Sequence, residues 1–593
     1  MGPQNYPSQI VRSGEPVVFP QRRVFFSGEG GGKWQGTRTF YKLLKDQAGF
    51  LREQCGENVF FACPLTSLIQ TDAFRDFMDA NRLWDQVYAI GGEREMLDLF
   101  LKASFTREQK AQLWELLKGY DGPDGSHSPI VVRSSGLNED SAHKSYAGAF
   151  YSIFLPNQHP DDGVRLAQLE AAVKLVYASL YLQLLQEKSY GVAGMGGDER
   201  MGVMVQNVAG RAWPSPSGRL LYYPEASFAA FSYNYFTKAD GFFRLAFGLG
   251  PGVVENLKGS AVVVEMGADR PFGMFTPRDI VEFSPLHFYA LDLSDAGRAP
   301  QGENDFVRKH KIFTDAPEGL FLPNCVIYDR ELNVKRPLIL TPDYSPAMQL
   351  SKFLGRSKGS LGQALEVMRD LLREAFSTEM ERIEVDFEGA ADRVDGKLVV
   401  YPLQARPMVL GANTRLPQLP QVEADDTLLS GTGAAGWGGQ YSIRAVVWVP
   451  NPAGGLYGVS YDISQELQAI NQTLYGEGLR SQVLYIVPGR YGTSDGAEGI
   501  PGPLLHTAAA IAEQRRYAGE MMSGGTHFFL EMMEANLAYL SIDDIAQFNS
   551  LRLEQISSRV ESGTYSQIYR LHAPLHLSVD VENRFLLHPN GVA

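Results

Sequence analysis

Arg133 closes an apolar, β-branched run, Ile130-Val131-Val132, and is followed by Ser134-Ser135-Gly136 and the acidic pair Glu139-Asp140. This is the layout of a strand that carries a fixed cation to a phosphate-sized site, with small residues behind it. Arginine suits that task because its planar fork is always charged and grips phosphate oxygens two at a time. A solvated arginine at a strand edge fits the same pattern. A second stretch supplies complementary chemistry. Glu384 and Asp386 alternate along one apolar segment, Gln404 and Arg406 along another, and an Asp395-Gly396 turn signal lies between. Alternate residues of a strand share a face. In a hairpin about that turn, Glu384 is expected opposite Arg406 and Asp386 opposite Gln404. Hard oxygen ligands grouped this way suit Mg²⁺, which is held by one or two carboxylates together with nucleotide phosphates. The alternative is a structural ion-pair ladder on a sheet face.

Several elements must position these side chains. The glycine loop Ser27-Gly28-Glu29-Gly30-Gly31-Gly32-Lys33 precedes a helix-like stretch containing Leu43, Leu44 and Phe50. Its glycines would let backbone amides approach an anion, and Lys33 adds a point charge. A plain glycine linker is the other reading. Between 66 and 121 the apolar residues Phe74, Phe77, Met96, Phe100, Leu113 and Leu117 recur at helical spacing and predict packing helices. The stretch from Val164 to Leu185 predicts a long amphipathic helix with Leu169, Val173, Val176 and Leu180 on one face. Met201 to Gln206 reads as an apolar strand ending in an amide. Residues 1–23 read as a polar, Pro-containing arm, and 412–426 as a linker. Beyond the linker, Val446-Val-Trp-Val and Val483-Leu-Tyr-Ile-Val read as strands. There Arg490, in a Gly-Arg-Tyr-Gly-Thr-Ser loop, and His527 could form a small anion site, or else a tight turn beside a buried histidine.

Together, Val132-Arg133-Ser134-Ser135, Glu139-Asp140, Ser145-Tyr146-Ala147-Gly148 and Leu403-Gln404-Ala405-Arg406-Pro407 resemble, in order, the ATP-binding domain of the phosphoenolpyruvate synthase and pyruvate phosphate dikinase family. Gly31-Gly32-Lys33 resembles that family's phosphate-contacting segment. Met201 to Gln206 is similar to its strand facing the adenine ring. Gly248-Leu249-Gly250 resembles its Gly-Leu-Gly-Glu segment, with Pro251 in place of the acid and Glu255 as a substitute. The resemblance implies an α+β, ATP-grasp-type domain over 24–411, with subdomains of about 24–200 and 201–411 enclosing ATP. A smaller α/β domain would follow over 427–593. It also implies ATP and Mg²⁺ as cofactors. Arg133 and Arg406 would be the catalytic cations. Lys33, Arg133, Gln206, Gly248, Gly250, Gln404 and Arg406 would bind the nucleotide. Glu384, Asp386 and Gln404 would hold the metal.

The composition excludes other classes. The chain has 593 residues, 44% hydrophobic and 21% charged, and a net charge of −14, so an extended nucleic-acid or anionic-membrane surface is not expected. Three cysteines without zinc spacing, no basic-then-apolar leader and no long apolar run point to a cytoplasmic protein. Dikinases of the family carry phosphate on a histidine in a Gly-Gly-x-x-Ser-His-Ala-like segment. Gly524-Gly525-Thr526-His527 departs from it in spacing and in the residues that follow, and nothing after 426 is large enough for a pyruvate-binding barrel. The expected function is therefore Mg-dependent phosphoryl transfer from ATP to an unidentified small-molecule or protein acceptor. A nucleotide sensor without turnover and a ligase forming an acyl phosphate are the alternatives.

Overall fold

In the computed structural model of the chain, the described residues are 6–18, 23–122, 124–137, 150–189, 200–232, 241–254, 261–268, 285–303, 305–316, 325–329, 334–337, 345–348, 357–377, 383–408, 416, 418–423, 426–436, 439–493, 499–502, 505–514, 528, 532, 535, 537–542, 550–580 and 582–589. They form two compact units. One comprises 1–233 with 239–408, the other 234–238 with 409–593. Both mix helix and strand, as the α+β expectation requires.

The elements of the first unit that matter for the site are, in chain order, β1 (Arg23–Phe25), α1 (Gly32–Asp46), β2 (Val59–Ala62), β3 (Thr66–Ile69), β4 (Ile130–Gly136), β5 (Ser152–Leu155), α2 (Asp162–Ser189), β6 (Met201–Asn207), β7 (Ala226–Phe231), β8 (Phe242–Phe247), β9 (Ala261–Glu265), α3 (Leu361–Phe376), β10 (Glu384–Val394) and β11 (Lys397–Met408). A seven-stranded sheet runs Val17–Val18, β2, β11, β10, β7, β8, β9, and a five-stranded sheet runs β1, β3, β6, β4, β5. Strands from both sides of residue 200 enter the seven-stranded sheet, and β6 at 201–207 lies in the sheet of β4. The sheets, not consecutive halves of the chain, organise the unit.

Two expectations change on folding. The predicted arm contains a helix, Tyr6–Ser13, and the strand Val17–Val18, which pairs parallel with β2. Ile10 and Val11 are buried with Phe60, Val399 and Tyr401, so apolar residues scattered in a polar segment suffice to anchor it. The helix α2 is buried nearly all round from Gln168 to Leu182 and not along one stripe. Buried polar groups on it find partners in other segments: the Gln168 amide nitrogen donates to the carbonyls of Ala296 and Arg298.

The hairpin β10–β11 turns at Asp395 (φ 51°) and Gly396 (φ 77°), both left-handed, as a two-residue turn matching strand twist requires. Pairing starts at Val394↔Lys397 and is interrupted between Glu388 and Gly389. Beyond that break, Glu388 faces Gln404, Asp386 faces Arg406 and Glu384 faces Met408. The expected pairs, Glu384 with Arg406 and Asp386 with Gln404, are therefore wrong by one strand repeat, because the turn fixes the starting register and a bulge then adds one residue to β11. Leu398 and Val400 point into the main core. Without the bulge, Gln404 and Arg406 would share their parity and point there too.

In the second unit β12 (Leu429–Thr432), β13 (Gln440–Trp448), α4 (Ser460–Gly476), β14 (Val483–Pro488), β15 (Ala508–Gln514), β16 (Ala538–Ile542), β17 (Gln567–Val579) and β18 (Arg584–Pro589) follow in chain order. β13, β14, β15 and β16 are neighbours and parallel, while β17, β18 and β12 extend the sheet antiparallel from β13. Ile443, Val446, Leu484, Ile486, Ala512, Leu540 and Phe585 form its core.

Candidate functional site

The glycine loop and α1 set the site's cation. Gly31, at φ 76°, precedes the helix, and a Cβ there would lie 1.9 Å from the Ser135 carbonyl oxygen. One turn later, a Cβ on Gly36 would lie 2.5 Å from the Ala405 carbonyl oxygen. The helix is thus pressed at its start against β4 and along its side against β11, which only residues without Cβ allow. The Ser135 hydroxyl donates to the Gly30 carbonyl at 2.7 Å and accepts from the Trp34 amide at 3.0 Å. Lys33 is held in the first turn, 8% exposed, with its ammonium donating to the Ser134 hydroxyl at 3.3 Å.

Arg133 extends from β4 toward the hairpin of the other sheet. Its guanidinium donates to Gln404 Oε1 at 2.8 Å and to Gln206 Oε1 at 3.5 Å, and it lies 3.7 Å from the Glu388 carboxylate. The two hydrogen-bond partners are neutral amide oxygens that aim the fork, and the Glu388 carboxylate is at ion-pair distance. Gln206 is buried on β6. Its amide nitrogen donates to Thr66 Oγ1 at 3.0 Å and to the Tyr41 hydroxyl at 3.4 Å. In this arrangement Gln206 braces Arg133, a contact its expected place beside an adenine ring did not suggest.

The three acidic residues of β10 have different surroundings. Asp386 is gripped by Arg406, whose Nε donates to both carboxylate oxygens at 2.8 Å while a terminal nitrogen stands 2.7 Å from Oδ2. Burial pushes the Asp386 carboxyl upward and the guanidinium opposes it. Glu384 accepts from Arg373 Nε of α3 at 2.7 Å and from the Ser232 hydroxyl. Both expected metal carboxylates thus face arginines. Glu388 is the residue the sequence reasoning missed. It stands across the ladder from Gln404, with its side chain 30% exposed. The period-two run 384, 386, 388 was the available signal. Among the described residues no group of three or more His, Cys, Asp or Glu side chains gathers as a ready metal cage, so a cation here would draw on Glu388, Gln404 and ligand oxygens.

Gly248 takes φ 75°, a Cβ there would meet the Tyr289 carbonyl oxygen at 2.2 Å, and its own carbonyl accepts from Ser227 Oγ at 2.7 Å. It serves packing, whereas a Cβ on Gly250 would meet open space. The acidic pair Glu139-Asp140, the loop of Ser145 and Tyr146, and also Glu255 and His527, lie outside the described residues. In the second unit Arg490 is buried in the short strand Arg490–Tyr491. Glu513 accepts from the Tyr491 amide at 2.8 Å and from the Tyr539 hydroxyl at 2.9 Å. That buried carboxylate was not anticipated either.

Among the described residues no helix is long and apolar enough to cross a membrane. No curated protein matches the chain. The segment containing Arg133, Gln206, Gly248 and Gly250 has a family match, while Lys33 and the hairpin residues lie outside the matched range. In that segment the chain is similar to the pyruvate phosphate dikinase family: the model described as "Pyruvate phosphate dikinase, AMP/ATP-binding domain" matches residues 47–270.

Proposed function

We propose that the first unit is an ATP- and Mg²⁺-dependent phosphotransferase. The observation that carries this reading is the reach of Arg133 from one sheet to Gln404 and Glu388 on the other. It puts a charged fork, an amide oxygen and a carboxylate together, in a chain of which residues 47–270 match a model for an AMP/ATP-binding domain. Glu388 and Gln404 fit Mg²⁺: both offer hard oxygens, and Mg²⁺ takes one or two carboxylates with the rest from phosphate and water. When bound, the cation would neutralise charge on the phosphate oxygens.

The protein's own residues do the remainder. Lys33, at the start of α1, holds the phosphate tail. Arg133 donates to the migrating phosphoryl group, where charge is spread over several oxygens. Gln206 and Gln404 keep its fork aimed. Arg406, balanced by Asp386, fixes the face of the hairpin, and Glu384 ties that strand to α3 through Arg373. Such chemistry asks for positioning and electrostatics more than covalent participation.

The test is nucleotide turnover by the full chain against pooled metabolites, with products resolved as ADP or as AMP plus phosphate. A thermal-shift titration runs beside it, and stabilisation should require both ATP and Mg²⁺. A folded sample that shows no shift with MgATP rejects the reading. A shift without nucleotide breakdown leaves a sensor.

A further inference from the structure

The strand Ser557–Ser562 of the second unit pairs antiparallel with β17 along one edge, and among the described residues no strand borders its other edge. An edge left this way offers a row of backbone donors and acceptors to another chain. The ladder tells which residues face outward. Pairing is regular from Arg559 to Ser562, and beyond it the Gly563 amide donates to the Ser566 carbonyl at 2.8 Å across the turn. Successive residues of a strand turn their backbone groups to opposite edges. Gly563, Glu561 and Arg559 therefore turn theirs toward β17, while Ser562 and Val560 turn theirs away from it. The side chains are accessible too: Val560 is 42% exposed, and no residue of the strand is buried. The ribbon is nonetheless pinned. Glu466 of α4 accepts from the Thr564 and Tyr565 amides at 3.0 and 3.1 Å and from the Ser566 hydroxyl at 2.5 Å. Arg570, across the ladder from Arg559, pairs with both Glu477 and Glu561. A strand edge fixed in this way costs little further ordering when another strand is added to it.

Charges on an edge strand ordinarily discourage pairing. Here their order makes the strand complementary to itself. Arg559 and Glu561 flank Val560 and share one face of the ribbon, 3.2 Å apart. In an antiparallel pair, residues with outward backbone groups meet one another, so the register moves in steps of two. With Val560 opposite Val560, each Arg559 stands opposite the partner's Glu561. One step either way sets Glu561 against Glu561 or Arg559 against Arg559, and like charges directly opposed are destabilising. We propose that this edge is a contact between two copies of the chain, paired antiparallel about a twofold axis at Val560 so that their nine-stranded sheets join. A second copy fits because the twofold axis itself reverses the charge order, as an isologous contact requires. The resident Arg559–Glu561 pair is largely exposed, so sharing it with the partner sacrifices little. One short strand edge is smaller than the roughly 1,200–2,000 Å² of a standard stable interface, so the association should be reversible. The contact lies in the second unit and is independent of the phosphotransferase reading.

The experiment is sedimentation velocity on the full chain over a concentration series at low ionic strength, where exposed charges are least screened. Wild type is compared with Val560→Pro, Arg559→Glu and Glu561→Arg, each checked for folding by circular dichroism. Proline removes an outward N–H and leaves the bonds to β17 in place, a position where strands tolerate it. Arg559→Glu leaves two acids on the edge and Glu561→Arg two bases, so each variant repels its own copy in this register. An equimolar mixture of the two charge variants restores opposite charges at both pairs. The expected result is a reversible monomer–dimer equilibrium in wild type, with the dissociation constant raised about tenfold or more in all three variants. The mixture should recover association that neither charge variant shows alone. If the proline variant fails to fold, the charge variants and their mixture decide by the same readout. Wild type that stays monomeric throughout the series overturns the proposal. A dimer unaffected by the three substitutions also overturns it, because another surface then forms the contact, and so does a mixture that associates no better than its components.

Discussion

Arg133 donates to Gln404 at 2.8 Å across a separation of 271 residues. The bond joins the five-stranded and the seven-stranded sheets of the first unit, so the arrangement exists only once both are folded. It also decides which acidic residue belongs to the site, because the residue across the ladder from Gln404 is Glu388.

Glu388→Gln should abolish the Mg²⁺ requirement together with turnover, while nucleotide still stabilises the protein weakly. Glu384→Gln should leave the Mg²⁺ dependence intact and lower stability instead, because it loosens Arg373. Turnover and nucleotide-induced thermal stabilisation, each measured over a Mg²⁺ series for both variants, separate the roles. A loss of metal dependence in Glu384→Gln alone would restore the original assignment.

Arg133→Ala should lower kcat by about 10²–10³, as removal of a donor aimed at developing charge does. Nucleotide affinity should fall only modestly. Steady-state kinetics and direct titration check this, and an unchanged kcat with raised KM assigns Arg133 to uniform binding.

Gly36→Ala should destabilise the first unit by about 1–3 kcal/mol, in the range for overpacking against fixed backbone. Its new methyl would sit 2.5 Å from the Ala405 carbonyl. Denaturant unfolding gives the magnitude. A stability at or above wild type would mean that α1 can shift away from β11 without cost.

The first unit should become less stable as pH rises from about 4 to about 7. Glu225 is pushed up to about 7 and Asp392 to about 6, both mainly by burial. The Glu225 amide donates to Asp392, and Arg211 stands at 3.0 Å from the Glu225 carboxylate. A raised carboxyl keeps its proton in the folded state, so its contribution is complete below the unfolded value and fades through the folded one. Unfolding midpoints at several pH values should show this slope, and Asp392→Asn should flatten it. An unchanged slope in that variant assigns the effect to other groups.

Much of this was legible in residue types. Arg133 on a strand, Lys33 at a helix start and the alternation of Gln404 with Arg406 all follow from local pattern, and all lie where the pattern puts them. Pairing between Asp386 and Arg406 was not legible, because register depends on a bulge with no strong sequence mark. Gln206 bracing Arg133 depends on which strands become neighbours, and no local signal carries that. The long helix α2 read as amphipathic because its polar residues suggested a wet face, yet Gln168 and Ser179 are buried with partners of their own.

The extra residue in β11 has an implication for comparing this chain with others. Position by position, the turn-proximal half of the hairpin and its site half obey opposite odd–even rules. An alignment that slides through Leu403 without a gap, against a relative lacking the bulge, would match Gln404 to a core position and make a shared site look lost. Phase, more than percentage identity, is the property to preserve when distant relatives of this hairpin are sought.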